Sequence, residues 1–119
     1  MAEKIAVIGL GYVGLPVLIA LAERFSGTIG FDIDTRRIEA LRQGTDATKE
    51  VDSEKLARTT ARLTADPVEL TGSSFFIVTV PTPIDADRRP DLRPLESACQ
   101  TIGRFLRPDA VVVFESTVY

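Results

Sequence analysis

Ile5-Ala6-Val7-Ile8-Gly9-Leu10-Gly11-Tyr12-Val13-Gly14-Leu15-Pro16 compresses an apolar strand, a G-x-G-x-x-G turn and the beginning of an apolar helix into twelve residues. Residues 4–8 form a short, nearly continuous apolar run with β-branched members, which suits a strand covered on both faces of a parallel sheet. Three demands then fall on the chain: to reverse tightly, to bring its backbone within hydrogen-bonding reach of an anion, and to lay the next helix close against the sheet. Gly9, Gly11 and Gly14 meet those demands in that order. A helix beginning at Gly11 or Tyr12 aims its unpaired N–H groups and the positive end of its dipole at the anion. The stretch reads as a cradle for a dinucleotide pyrophosphate, against the plainer alternative of a strand-to-helix turn that holds no ligand.

The residues beyond the loop favour the cradle. Leu15 to Phe25 continues as a strongly apolar helix, with Pro16 near its start, where a missing donor costs least, and Ser26-Gly27 at its end. Thr28 to Asp32 forms a second strand, and Thr35 to Arg42 a second helix closed by Gly44. Asp32 stands eighteen residues beyond Gly14, at the end of that second strand, where a carboxylate accepts hydrogen bonds from both adenosine ribose hydroxyls. The same charge repels a ribose 2′-phosphate, which favours NAD over NADP. Arg36 and Arg37 pull the other way, since a guanidinium there can grip that phosphate or stack on adenine. For Asp32 the alternative is a helix cap beside Asp34.

Farther along, Thr45 to Arg62 is polar, with a solvent-facing helix expected over about 53–61. Leu63-Thr64-Ala65 reads as a short strand near a sheet edge, Pro67 to Leu70 as a turn or single helical turn, and Phe75 to Val80 as the clearest strand in the chain. Pro81, Pro83, Pro90 and Pro94 bracket a loop rich in aspartate and arginine, a helical pattern resumes over Leu95 to Leu106, and Ala110 to Glu115 makes a final strand. Strands alternating with helices and no internal repeat imply an α/β fold of Rossmann type: a doubly wound, mostly parallel sheet with helices on both faces and right-handed crossovers, ending after about five strands. Ligands of such sheets sit at the carboxyl ends of the strands. That edge holds Gly9 to Gly14, Asp32, Pro81 to Pro83 and Ser116-Thr117.

Composition narrows the function classes. At 119 residues the chain has the size of one domain, and 45% apolar with 26% charged residues is ordinary for a globular protein. A net charge of −3 gives no basic footprint for nucleic acid. One cysteine permits no internal disulfide and suits a reducing compartment, so the cytoplasm is expected. Neither a signal peptide nor a run approaching the roughly 20 apolar residues of a membrane span is evident. The absence of histidine removes the commonest general base and metal ligand, and no metal site is expected. Cys99, inside the Leu95–Leu106 pattern, reads as a small core filler.

Two further segments carry candidate chemistry. Thr79-Val80-Pro81-Thr82-Pro83-Ile84-Asp85 leaves the fourth strand stiffened by two prolines in three residues, so Val80, Pro81 and Thr82 make either a rigid wall beside the cofactor or an ordinary strand-ending loop. Glu115-Ser116-Thr117-Val118-Tyr119 brings hydroxyls to the end of the fifth strand. There Ser116 and Thr117 can bond the nicotinamide end, the substrate or a water, or be incidental. Asp85, Asp87, Arg88, Arg89 and Asp91 read as solvated surface.

Together, Ile8 to Pro16, Val80 to Asp85, Pro90-Asp91-Leu92 and Glu115 to Tyr119 closely resemble the UDP-glucose/GDP-mannose dehydrogenase family, across the whole chain and in the family's order. The Ser-Thr-Val-Tyr ending looks more like the branch acting on UDP-N-acetylhexosamines, including the Vi-polysaccharide dehydrogenases, than the UDP-glucose branch, which typically has proline where Tyr119 stands. The resemblance implies oxidation of a UDP-sugar's C6 alcohol to aldehyde and then carboxylate for surface polysaccharide, using two NAD per turnover. It implies pyrophosphate binding by Gly11, Tyr12 and Val13 with Gly9 and Gly14, ribose binding by Asp32, and cofactor contacts at Arg37 and Thr82. It places Thr117 near the nicotinamide and the catalytic water, a supporting catalytic role.

Arg93 departs from the small polar residue that often follows the Pro-Asp-Leu segment in the family. The family's catalytic cysteine lies beyond Tyr119, and Cys99 does not match it. The resemblance therefore implies that residues 1–119 are the NAD-binding domain of a longer enzyme, inactive alone, without the central helix and sugar-nucleotide domain, the full protein being a homodimer or higher. A non-catalytic NAD-sensing module shares the glycine loop and the acid, but has no need of hydroxyls at the nicotinamide end. A methyltransferase leaves the Pro-Thr-Pro exit unexplained.

Overall fold

A computed structural model describes residues 3–47, 49–84 and 86–115. Five strands, β1 (Ile5–Ile8), β2 (Ile29–Phe31), β3 (Arg62–Thr64), β4 (Phe75–Val78) and β5 (Val111–Phe114), form one sheet in the order β3-β2-β1-β4-β5. Every pairing is parallel. Four helices, α1 (Gly14–Arg24), α2 (Thr35–Arg42), α3 (Ser53–Arg58) and α4 (Arg93–Phe105), and a 3₁₀ turn (Pro67–Leu70) make the connections. This is the doubly wound order of a Rossmann sheet, whose direction of winding switches between β1 and β4.

Alternation along β1 divides the core. Val7 lies with Leu15, Leu18 and Ile19 of α1, Ile38 and Leu41 of α2, and Leu56 of α3. Ala6 and Ile8 lie on the other face with Phe76 and Val78 of β4, Leu70 of the 3₁₀ turn, and Ala98 and Ile102 of α4. Both faces of the sheet are thus covered, and β1 is buried throughout. Among the described residues no helix is long and apolar enough to cross a membrane.

Side chains set most element boundaries. Asp34 accepts from the Arg36 and Arg37 amides to start α2, Asp52 accepts from the Lys55 amide to start α3, and Asp66 accepts from the Val68 amide to start the 3₁₀ turn. Gly44 follows α2 with φ of +87°, the left-handed geometry that glycine adopts without strain.

Several expectations need correction. α1 begins at Gly14 rather than at Gly11 or Tyr12, because Gly11 to Val13 form a turn and the first α-type bond runs from the Leu15 amide to the Gly11 carbonyl. α3 stops at Arg58, where Thr59 turns extended. β4 ends at Val78, so Thr79 and Val80 lie beyond it. α4 starts two residues early, at Arg93, since Pro94 in a first turn forfeits no helical bond. Cys99 is exposed rather than a core filler, because α4 buries Ala98 and Ile102 and residue 99 is turned off that face.

Candidate cofactor site

The register aligns Ile8 of β1 with Phe31 of β2 and Val78 of β4, so Gly9, Asp32 and Thr79 leave the sheet side by side at its carboxyl edge. The ladders run on into these exits: the Gly9 amide donates to the Phe31 carbonyl (2.8 Å), and the Thr79 amide to the Ile8 carbonyl (2.8 Å). A cleft of about 380 Å³ opens at this switch point. Its glycine-loop side is Gly9, Leu10 and Gly11, its β2 side Asp32, Ile33 and Asp34, and its far wall Val80 and Pro81. Pro94, Ser97, Ala98 and Thr101 of α4 complete the lining.

The three glycines occupy distinct environments. Gly9 has φ of +94°, and a Cβ there would sit 3.0 Å from the Val80 amide nitrogen. A Cβ on Gly14 would lie 1.8 Å from the Gly9 carbonyl oxygen and 2.3 Å from Thr79 Oγ1, so α1 can approach the sheet this closely only through glycine. A Cβ on Gly11 would meet nothing within 4 Å. The open side of the loop is therefore at Gly11, and the amides of Gly11, Val13 and Gly14 make no hydrogen bond among the described residues.

Asp32 is not the cap of α2, the alternative open from sequence. Its Oδ2 accepts from the Leu10 amide and its Oδ1 from the Asp34 amide, both at 2.9 Å, while the helix cap itself is Asp34. An ionised carboxylate offers about four lone-pair sites. Two are committed to the backbone and two remain among the described residues.

Arg37 is held firmly. Its Nε donates to the Leu10 carbonyl (2.8 Å) and its Nη1 to Asp46 Oδ1 (2.8 Å), an ion pair whose carboxylate is fully buried. Asp46 Oδ2 in turn accepts from the Glu50 (2.9 Å) and Val51 (3.0 Å) amides. With Asp32 on its N–H and Arg37 on its C=O, Leu10 has both of its backbone polar groups clamped.

Of the residues expected at the site, Gly9, Gly11, Asp32, Arg37, Val80 and Pro81 line the cleft. Tyr12 and Val13 belong to the turn and Gly14 opens α1, and none of the three is part of the lining. Thr82 is buried, 3% exposed, and is not part of the lining. Ser116 and Thr117 lie outside the described residues, as does Asp85. Two features went unread from sequence: the face of α4, for which the spacing Pro94, Ser97, Ala98, Thr101 is a legible helical row, and Asp46, for which no local signal exists.

Comparison with known proteins decides the family. Residues 3–119 match the model of the UDP-glucose/GDP-mannose dehydrogenase family, NAD binding domain. The chain belongs to this family. It is 46% identical to the Staphylococcus aureus protein CapL over 119 residues, all of this chain and 28% of that protein. It is also 46% identical to the UDP-N-acetyl-D-glucosamine 6-dehydrogenase of Pseudomonas aeruginosa over 117 residues, 98% of this chain and 28% of that enzyme. The structure of a UDP-D-ManNAc dehydrogenase from Pyrococcus horikoshii superposes with a TM-score of 0.86 at 36% identity, covering 97% of this chain and 28% of that one. The chain thus spans 28% of the length of these relatives.

The cofactor of the family domain is NAD, and the cleft suits it. The loop is open at Gly11, the acid at the end of β2 has acceptor capacity to spare, and Ile33, Val80 and Pro81 supply apolar walls.

Proposed function

We propose that this chain is the cofactor-binding part of a sugar-nucleotide 6-dehydrogenase that oxidises the C6 alcohol of a UDP-N-acetylhexosamine, or of UDP-glucose, to a carboxylate. The observation that carries the reading is the 46% identity to a UDP-N-acetyl-D-glucosamine 6-dehydrogenase, aligned over nearly the whole chain. When bound, NAD supplies the hydride acceptor for both oxidations.

The residues of this chain bind and orient. The amides of Gly11, Val13 and Gly14, at the positive end of α1, meet the pyrophosphate, with Gly9 and Tyr12 shaping the loop. Asp32 accepts the adenosine ribose hydroxyls. Arg37 braces the loop, and Val80 and Pro81 form the stiff wall on the β4 side. Ser116 and Thr117 are assigned to the cofactor on the family resemblance, Thr117 in a supporting catalytic role. Residues 1–119 bind cofactor without turning over substrate. The full protein works in the cytoplasm as a homodimer or larger assembly, supplying uronic acids to polysaccharide synthesis.

Calorimetric titration tests the site, with NAD and NADP, on the parent chain and on Asp32→Ala. The parent binds NAD more tightly than NADP, and the variant loses at least about tenfold in NAD affinity, roughly 1.4 kcal/mol. Tighter NADP binding by the parent, or an unaffected variant, refutes the assignment. For the activity, the full-length protein with NAD forms NADH on UDP-N-acetylglucosamine, UDP-N-acetylgalactosamine or UDP-glucose; no NADH with any of them refutes it.

A further inference from the structure

Arg37 poses a question that cofactor binding alone does not answer. A cation beside the adenosine ribose is a natural grip for a 2′-phosphate, so its presence in a site for NAD needs a physical explanation. The geometry supplies one. The guanidinium reaches back to the Leu10 carbonyl through Nε and across to Asp46 through Nη1, and its Nη2 is buried without a hydrogen-bond partner among the described residues. The Arg37 side chain is only 12% exposed, and the Asp46 carboxylate is fully buried.

We propose that Asp46 is a specificity-determining positioning residue: by anchoring and neutralising Arg37 it withholds that cation from a ribose 2′-phosphate and so sets the preference for NAD over NADP. The inference rests on the cofactor site described above. Two effects act in the same direction. Held at two anchors, the guanidinium cannot swing toward the ribose without giving up a charge-assisted bond in a buried setting. Paired with Asp46, its charge is locally cancelled, so the charged groups lining the cleft that stay uncompensated are Asp32 and Asp34, which repel a phosphate, while Arg36 is not part of the lining. Asp46 is itself kept in place by the Glu50 and Val51 amides on its second oxygen, which makes the anchor rigid.

Asp46→Asn is the informative change. Its single carbonyl oxygen is claimed by the Glu50 and Val51 amides, which keeps the loop capped and turns the amide NH₂ toward Arg37, where donor meets donor. Arg37 then keeps only its Leu10 anchor and carries an uncompensated charge. In calorimetric titrations of the chain with NAD and NADP, the ratio of NAD to NADP affinity falls at least tenfold, mainly through tighter NADP binding. Adding Arg37→Gln in the same background restores the discrimination, because the freed cation is gone. Asp46→Ser serves as a second release variant should the asparagine form fail to fold.

An unchanged ratio overturns the proposal. So does equal weakening of both nucleotides, or loss of the fold in both release variants, since either marks the strut as structural only. A parent chain that binds neither nucleotide sinks the cofactor site itself, and this inference with it. A parent that binds NAD while the release variants keep its selectivity sinks the inference alone.

Discussion

Alanine at Gly14 and at Gly11 separates the two uses of the glycine loop. At Gly14 the added Cβ lands 1.8 Å from the Gly9 carbonyl oxygen and 2.3 Å from Thr79 Oγ1. Restoring even a tight contact requires a retreat of about 1 Å or more by a backbone carbonyl, an overpacking strain that no side-chain rotation relieves. That carbonyl is not free to retreat: its own residue donates to Phe31 in the β1–β2 ladder, and the Thr79 hydroxyl sits on it at 2.6 Å. The cost belongs at the upper end of overpacking, about 3 kcal/mol. For a domain of this size that lowers the melting temperature by roughly 10 °C. Gly11→Ala meets open space and has φ outside the left-handed range, so stability stays within about 0.5 kcal/mol of the parent. Its methyl protrudes where the pyrophosphate approaches, and NAD affinity falls by about tenfold or more. Thermal unfolding followed by circular dichroism and calorimetric titration with NAD read the two effects separately. The reasoning is refuted if Gly14→Ala melts within about 2 °C of the parent, or if Gly11→Ala loses as much stability as Gly14→Ala.

Asp34→Ala removes the side-chain N-cap of the eight-residue helix α2, which accepts from the Arg36 (3.0 Å) and Arg37 (3.3 Å) amides. Urea unfolding should register a loss of about 1 kcal/mol, and a change under about 0.3 kcal/mol contradicts the capping role. The Arg93 side chain, bonding through Nη2 at 2.7 Å, and the Arg93 amide hold the Asp91 carboxyl down from 3.8 to about 2. A lowered folded-state value means the pairing is at full strength above pH 3.8 and is lost as the pH falls through about 2. Carbon-detected NMR titration should place the Asp91 midpoint near 2, and Arg93→Gln should return it toward 3.8; a parent midpoint already at 3.8 contradicts the contact.

The alternation of strands and helices was legible because each element announces itself locally. Phe75 to Val78 is apolar and rich in strand formers, Thr35 to Arg42 is bracketed by Asp34 and Gly44, and the glycine loop has its own spacing. Boundaries slipped where the signal is ambiguous. Gly11 to Val13 suit a helical turn as well as the tight turn they form, and Pro94 reads as a breaker although it sits in a first turn. Cys99 could have been placed correctly, since the buried positions Ala98 and Ile102, with Leu95 and Phe105 packed beside them, define a face of α4 that excludes residue 99. Asp46 could not. It lies in a polar stretch without periodicity, and its burial depends on a guanidinium delivered by another element.

That dependence explains how the site is built. A loop that must present free amides to an anion cannot use those amides to hold itself in shape, so its rigidity has to come from neighbours. Here the backbone N–H and C=O of Leu10 are taken by Asp32 and Arg37 from the β2–α2 side, and the Gly9 carbonyl by Thr79 from the β4 side. Among the described residues the amides of Gly11, Val13 and Gly14 are left uncommitted between these clamps. Ordering the loop is therefore completed on folding rather than on binding, and the ligand meets donors already in place, which lowers the entropic cost of association. The two clamps come from strands on either side of β1, so the switch point of the sheet is both where the cleft opens and the one edge where both neighbours can reach the loop.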